Sequence, residues 1–204
     1  MAPKGWPAAL LLFHLGMWRE RMRDALTDLA EGNPQIPPPP SENIDELNDA
    51  ELANGIGTPL NDAAARSDHL LGEIIDLYKQ VGDRPFEWYR WTTTTEAVIG
   101  NSYSHPRVHM YEYLRENGDA ERANVLFEQA VADLDEVSSS VPAIKGVALY
   151  NLACARVNQQ RLDEAVEILE QALALRPDMK EFAPNDPDLR PLLEDPRFQA
   201  LTKT

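Results

Sequence analysis

Pro7-Ala-Ala-Leu-Leu-Leu-Phe-His14-Leu-Gly-Met-Trp18-Arg-Glu-Arg-Met-Arg-Asp-Ala-Leu-Thr-Asp-Leu-Ala-Glu31 is the stretch that decides the fold class. At about 100° per residue, Leu10, Leu11, His14, Met17, Trp18, Met22, Ala25, Leu26 and Leu29 fall in one half of a helical wheel. Glu20, Arg23, Asp24, Thr27 and Glu31 fall in the other, so residues 7–31 read as a helix with a buried face, closed by Gly32 and Asn33. The next residues, Asn33-Pro-Gln-Ile-Pro-Pro-Pro-Pro40, have fixed φ and few donors, and read as an extended polyproline crossing. A short helix is expected over 45–52, before the Gly55-Ile56-Gly57 turn. With Thr58 as N-cap and Pro59 at the first helical position, Leu60, Ala63, Ala64, Ser67, Leu70, Leu71, Ile74, Leu77, Tyr78 and Val81 repeat at three and four, a second helix that Gly82 ends. Residues 83–91, with Trp88 and Trp91, read as an aromatic loop. A third helix is expected over 93–117, where Val98, Ile99, Ser102, Tyr103, His105, His109, Met110, Tyr113 and Leu114 fill half a wheel. With further helices over 120–137 and 143–176, the chain reads as all-α.

The composition excludes several functions. Among 204 residues, 19 Lys and Arg stand against 34 Asp and Glu, a net charge of −15. No dense basic stripe is present to displace counterions from a phosphate backbone, so nucleic acid is not expected as a partner. Cys154 is the single cysteine, which rules out an intramolecular disulfide and a thiolate metal cluster and favours a reducing compartment, the cytoplasm. Lys4 and the apolar run that follows have the outline of a signal peptide, but His14 interrupts the run and Arg19-Glu20-Arg21 stand where small residues should precede cleavage. No run reaches the roughly 18 apolar residues that span a bilayer, and no membrane is expected.

Leu149-x2-Leu152-Ala153-x2-Arg156 followed by Ala165-x3-Leu169-x2-Ala172-x4-Pro177 resembles a tetratricopeptide unit, in which small and large apolar residues pack two antiparallel helices. The usual aromatic is missing where Arg156 stands. A weaker copy over Leu114, Gly118, Ala123, Phe127 and Ala130 would make the helix that carries His105 and His109 the first helix of another unit. Two units, one partial, are fewer than the roughly three that stand alone. They are therefore expected to pack on the front bundle, giving domains 1–117 and 118–204. Residues 185–198 resemble the capping segment that follows such repeats, held to short turns by their prolines.

Three of the histidines, His14, His105 and His109, lie on apolar helix faces, whereas His69 faces solvent. A buried imidazole needs partners for two ring nitrogens, and a divalent ion can serve several imidazoles at once. A pair at i, i+4 with a third from a facing helix makes a three-ligand site with open positions. Spacing alone leaves a second reading open, that of core histidines bonded to carbonyls. Pro106 disfavours helical geometry at His105 and cannot donate to residue 102, so the helix either kinks there or restarts with Pro106 in its first turn.

The segment Gly5-Trp6-Pro7-Ala8-Ala9-Leu10-Leu11-Leu12-Phe13-His14-Leu15-Gly16-Met17-Trp18-Arg19-Glu20, with Asn101-Ser102-Tyr103-Ser104-His105-Pro106-Arg107-Val108-His109 much later, resembles the DinB-like superfamily of four-helix bundles over residues 5–117. That group includes thiol-dependent transferases, a maleylpyruvate-isomerase branch and the small DfsB-like proteins. The resemblance implies a divalent ion, zinc or nickel, held by His14, His105 and His109. It implies an enzyme that activates a low-molecular-weight thiol for attack on a small electrophile, with hydrolysis as the related option. Trp18, Asn101 and Tyr103 would line the cavity; alternatively Trp18 and Tyr103 pack in the core and Asn101 bonds backbone. Family members carry a helix before the Gly-Trp segment that is missing here, and each Å² of apolar surface left bare costs about 25 cal/mol. The repeat helices, or a second subunit in a homodimer, are expected to cover it. The competing reading is a non-catalytic scaffold that presents its tetratricopeptide-like helices to a partner.

Overall fold

Pro7, extended at φ −57° and ψ 147°, turns the chain into α1, Ala8–Glu31, in the computed structural model, which describes residues 5–137 and 141–203. Lys4, where the signal-peptide outline begins, lies outside the described residues. The helix stops at Gly32, left-handed at φ 76°, where the Asn33 N–H reaches the Asp28 carbonyl at 2.8 Å and the Gly32 N–H the Leu29 carbonyl at 3.3 Å. This Schellman pairing satisfies carbonyls that the helix end would otherwise leave bare. The fold is all-α apart from one small hairpin. Its contacts divide it into two compact units, Met1–Gly118 and Asp119–Thr204.

In the first unit α1 packs on α3, Leu60–Val81, with α2, Ile44–Leu52, beside them. Met22, Leu26 and Ile74 are fully buried where α1 meets α3, and each such side chain withdraws from water about 2–3 kcal/mol of apolar surface. Pro59 occupies the N-cap place of α3 at φ −60° and ψ 143°, one residue later than the capping by Thr58 would put it, and the cap has no side-chain hydrogen bond. Residues 33–40 form no helix or strand, and Gln35 ties them to the backbone of Glu87, donating through Nε2 to the carbonyl at 2.5 Å and accepting its N–H at 3.4 Å.

Residues 83–91 depart from the expected loop. They contain β1, Pro85–Trp88, which pairs antiparallel with β2, Trp91–Thr93, the pair closed by Tyr89 and Arg90. Phe86 and Trp88 alternate with exposed neighbours, the period-2 pattern of a strand with one face covered. Thr93 then caps α4, Thr94–Ile99, accepting the Glu96 N–H.

The expected third helix is present but interrupted. After α4, residues Gly100–Ser104 form a π-turn, in which the His105 N–H bonds the Gly100 carbonyl five residues back. The helix resumes as α5, His105–Glu116, with Pro106 in its first turn. Pro106 has no N–H for the Ser102 carbonyl, and Arg19 on α1 supplies the missing donor through Nη2 at 3.4 Å. The other guanidinium nitrogen, Nη1, bonds the Ser67 carbonyl at 2.9 Å and its hydroxyl at 2.8 Å. A buried arginine therefore joins α1, α3 and the π-turn, and its burial pushes its pKa down. Gly100 lies under Trp91: a Cβ there would stand 2.3 Å from the indole Nε1. Gly100→Ala is expected to displace that indole and to cost about 2 kcal/mol, read as a lower urea midpoint with a change in tryptophan fluorescence.

The second unit comprises α6, Ala120–Glu136, α7, Pro142–Asn158, and α8, Leu162–Leu175, followed by short 3₁₀ turns and α9, Pro196–Thr202. The helix with His105 and His109 falls in the first unit and α6 in the second. Ala153, Ala165, Leu169 and Ala172, the positions read from spacing, are all fully buried. Arg156, in place of the usual aromatic, lies buried and bonds Glu128 on α6 at 2.6 Å and Gln159 at 2.9 Å.

Candidate functional site

His14 sits in the second turn of α1, and His105 and His109 lie one turn apart on α5, so that the two helices bring three imidazoles to one point. The His105 Nε2 is 3.3 Å from the His14 Nε2 and 2.8 Å from the His109 Nε2. One ring nitrogen of each lies within 4.8 Å of the others. The rings meet at steep angles, 70° for His14 with His105 and 81° for His14 with His109, so their edges rather than their faces converge. The π-turn contributes to this arrangement, since an inserted residue rotates everything after it around the helix, here His105 and His109. His69 stands apart, exposed on α3 near Glu73.

The surroundings keep two of these rings neutral. His14 is 1% exposed; burial, then the neighbouring His109 and Arg21, pushes its pKa down to about 3. Burial likewise holds His105 well below the usual imidazole range, reinforced by His109, His14 and Arg19. The His14 Nδ1 is buried without a hydrogen-bond partner. His109 faces Glu112, whose Oε2 is 3.4 Å from Nδ1. Trp6 stacks on the other side of His109 with centroids 5.8 Å apart, and presents its edge to His14 at 5.0 Å.

In metal-free protein these depressed values lead to a definite pH dependence. The unfolded imidazoles, near 6.5, take up protons before the folded ones do, so acid favours unfolding. Stability from this source is complete above about pH 6.5 and is lost as the pH falls towards 3. The urea midpoint is expected to hold steady from pH 8 to about 6.5 and decline below it, with a shallower decline in His14→Asn.

The imidazoles form one end of a cavity of about 660 Å³. Trp18, Trp88, Tyr89 and Trp91 give it aromatic walls, and Asn48, Asp45 and Asp49 of α2 give it a polar side. Of the three lining residues expected from sequence, Trp18 and Asn101 are present. Each also carries a structural bond: the Trp18 Nε1 donates to the Asn48 Oδ1 at 3.2 Å, and the Asn101 Nδ2 to the Trp18 carbonyl at 3.1 Å. Tyr103 does not line it; the Arg107 guanidinium lies 3.4 Å over its ring. Trp6 and the α2 residues were not foreseen, because their approach depends on how α2 folds back on α1.

Cys154, Asp186 and Asp188 form a second group of ligating atoms, in the second unit. The Asp186 carboxylate is committed elsewhere, accepting from the Tyr150 hydroxyl at 2.9 Å and from the Asp188 N–H at 2.9 Å. Burial, then the two aspartates, pushes the Cys154 thiol well above its ordinary range, leaving an inert small side chain.

Comparison with known families matches residues 146–179 to the tetratricopeptide repeat, a match that spans α8 and most of α7. No curated protein and no solved structure matches the chain. Among the described residues no helix is long and apolar enough to cross a membrane.

Proposed function

We propose that the first unit is a divalent-metal centre of the DinB-like kind, a thiol-dependent transferase or hydrolase acting on a small electrophile, with His14, His105 and His109 as ligands. The observation that carries this reading is the convergence of three Nε2 atoms, with separations of 3.3 and 2.8 Å. Ligands about 2.0–2.1 Å from a tetrahedral zinc stand roughly 3.3 Å from one another, so the donor set fits such an ion. Neutral imidazoles crowded edge to edge cannot all donate and accept among themselves, and a cation takes up their lone pairs together. Zinc and nickel both suit imidazole. The resemblance of residues 5–20 and 101–109 to that superfamily supports the same reading.

When bound, such an ion lowers the pKa of a thiol or water at its open position and so supplies a nucleophile at neutral pH. The chain's own residues do the rest. Buried His14 and half-buried His105 stay neutral, so each keeps one ring nitrogen unprotonated. Glu112 stands beside the His109 Nδ1 at 3.4 Å. Trp6 and Trp18 pack against the imidazoles. The test is consumption of 1-chloro-2,4-dinitrobenzene with 2-mercaptoethanol by zinc- or nickel-loaded protein. A rate above the uncatalysed one, lost in His109→Ala, is the expected result; equal rates in both proteins would reject the transferase reading.

A second reading has its own observation, the tetratricopeptide match over residues 146–179. Such units are used in arrays that present a surface to partner peptides, and on that reading the histidines are structural. A partner that co-purifies and is lost on disruption of residues 143–177, from a chain that carries no metal, would favour it.

A further inference from the structure

The imidazoles account for one end of the 660 Å³ cavity and leave its other walls unexplained. Residues 41–52, Ser-Glu-Asn-Ile-Asp-Glu-Leu-Asn-Asp-Ala-Glu-Leu, hold five acids and no base. Asp45 and Asp49, i and i+4 on α2, face the cavity together, and both side chains are exposed. The helix dipole explains acids in the first turn, which include Asp45 and Glu46, but Asp49 lies beyond it. Arg21, a cation close to this wall, is paired with Glu51.

Facing these carboxylates is a corner of rings. Tyr89 stands at 60° to Trp18 with centroids 6.2 Å apart, and at 82° to Trp88 with centroids 5.9 Å apart. Tyr89 has φ 53°, a conformation that costs a bulky residue energy and that glycine would adopt freely in a hairpin turn. A tyrosine kept in that position places an aromatic ring where glycine would leave none. Trp18 already accepts a cation on its ring, with the Arg21 guanidinium carbon 5.0 Å from its centroid. Aromatic faces set at an angle, closed by carboxylates, form the environment that recognises an ammonium group. The cavity is also lined by buried His14, whose Nδ1 has no hydrogen-bond partner.

We infer that this cavity binds a small organic cation, an ammonium-bearing molecule whose charge lies against Asp45 and Asp49 and whose apolar body lies among Trp18, Trp88, Tyr89 and Trp91. The assignment stands apart from the metal reading, because the carboxylates and rings are in place without an ion. The test titrates metal-free full-length protein in EDTA at pH 7 with three probes of one shape, 2-phenylethylamine, 2-phenylethanol and 3-phenylpropionate. Tryptophan fluorescence and calorimetry report binding. The amine is expected to bind about tenfold more tightly than the alcohol, with the acid weakest. The double substitution Asp45→Asn and Asp49→Asn, on exposed side chains, is expected to abolish the preference without lowering the melting temperature. Because the titration is run in EDTA, its outcome is independent of whether the imidazoles hold an ion, which separates this result from any failure of the metal reading. Equal affinity for the three probes, no binding by any, or a preference that survives the double substitution would overturn the inference.

Discussion

Protein purified without chelator or affinity nickel is expected to carry about one zinc or nickel ion per chain, and His14→Ala and His109→Ala to carry less than about a tenth of that. Elemental analysis of the three proteins is the measurement. The size of the effect follows from the donor count: two remaining imidazoles hold an ion with no third protein ligand, and water must fill the vacancy. His14 and His109 are the informative positions because each is held by its own helix and ring contacts, whereas His105 adjoins the π-turn and Pro106, where truncation would disturb the backbone as well. With its pKa near 3, His14 offers its lone pair throughout the neutral range. Full-length protein that takes no metal even after loading would remove the ligand assignment and leave the repeat-based reading in its place.

How much of this was legible depends on whether a feature is local. The apolar faces of α1, α3, α7 and α8 repeat every three to four residues, and burial follows that repeat, down to Ala153 and Leu169. The three histidines were visible for the same reason, each lying on an apolar face whose partner could be named. Arg19 is not legible as buried, since a charged residue beside a polar stripe reads as solvated; the Ser67 carbonyl and hydroxyl, with the Ser102 carbonyl that Pro106 deprives of its donor, give it a buried task. The hairpin was read as a loop because its turn, Tyr89-Arg90, lacks the Asn-Gly or Gly that signals one, and its strands are four and three residues long. Asp45 and Asp49 sit on a helix short enough to be all surface by pattern, and they become cavity residues only through the way α2 is folded back. Tyr103 fails in the opposite sense: its place on the apolar half of the wheel was right for a straight helix, but the π-turn passes through residues 100–104 and Arg107 occupies its ring.

Phe198→Ala is expected to cost the second unit about 3–5 kcal/mol, although Phe198 lies beyond the matched repeat, near the end of the described chain. A single repeat hairpin has one bare face, and neighbouring repeats usually cover it. Here the tail does so: Leu189, Leu192 and Phe198 join Ala153, Ala165, Leu169 and Ala172 in one buried cluster. The prolines of the tail forbid a long helix, but they allow short turns that deliver one apolar side chain each, Leu189 and Leu192 from the 3₁₀ segment and Phe198 from α9. Asp195 caps α9 by accepting the Arg197 N–H at 2.8 Å, and Arg197 reaches Asp163 of α8 at 2.7 Å, which pins the short helix where Phe198 can insert. Because that ion pair is exposed, solvent screens it, and the fixing of the tail falls chiefly to the ring. At 1% exposure the whole side chain is enclosed, so truncation leaves a cavity as well as losing transfer energy. Phe182, 54% exposed in the same tail, supplies the control: Phe182→Ala should change stability by less than about 1 kcal/mol. Urea unfolding followed by circular dichroism distinguishes the two. A Phe198→Ala loss as small as that of Phe182→Ala would mean that the tail lies on the repeat without closing it, and the bare face of α7 and α8 would then need another cover.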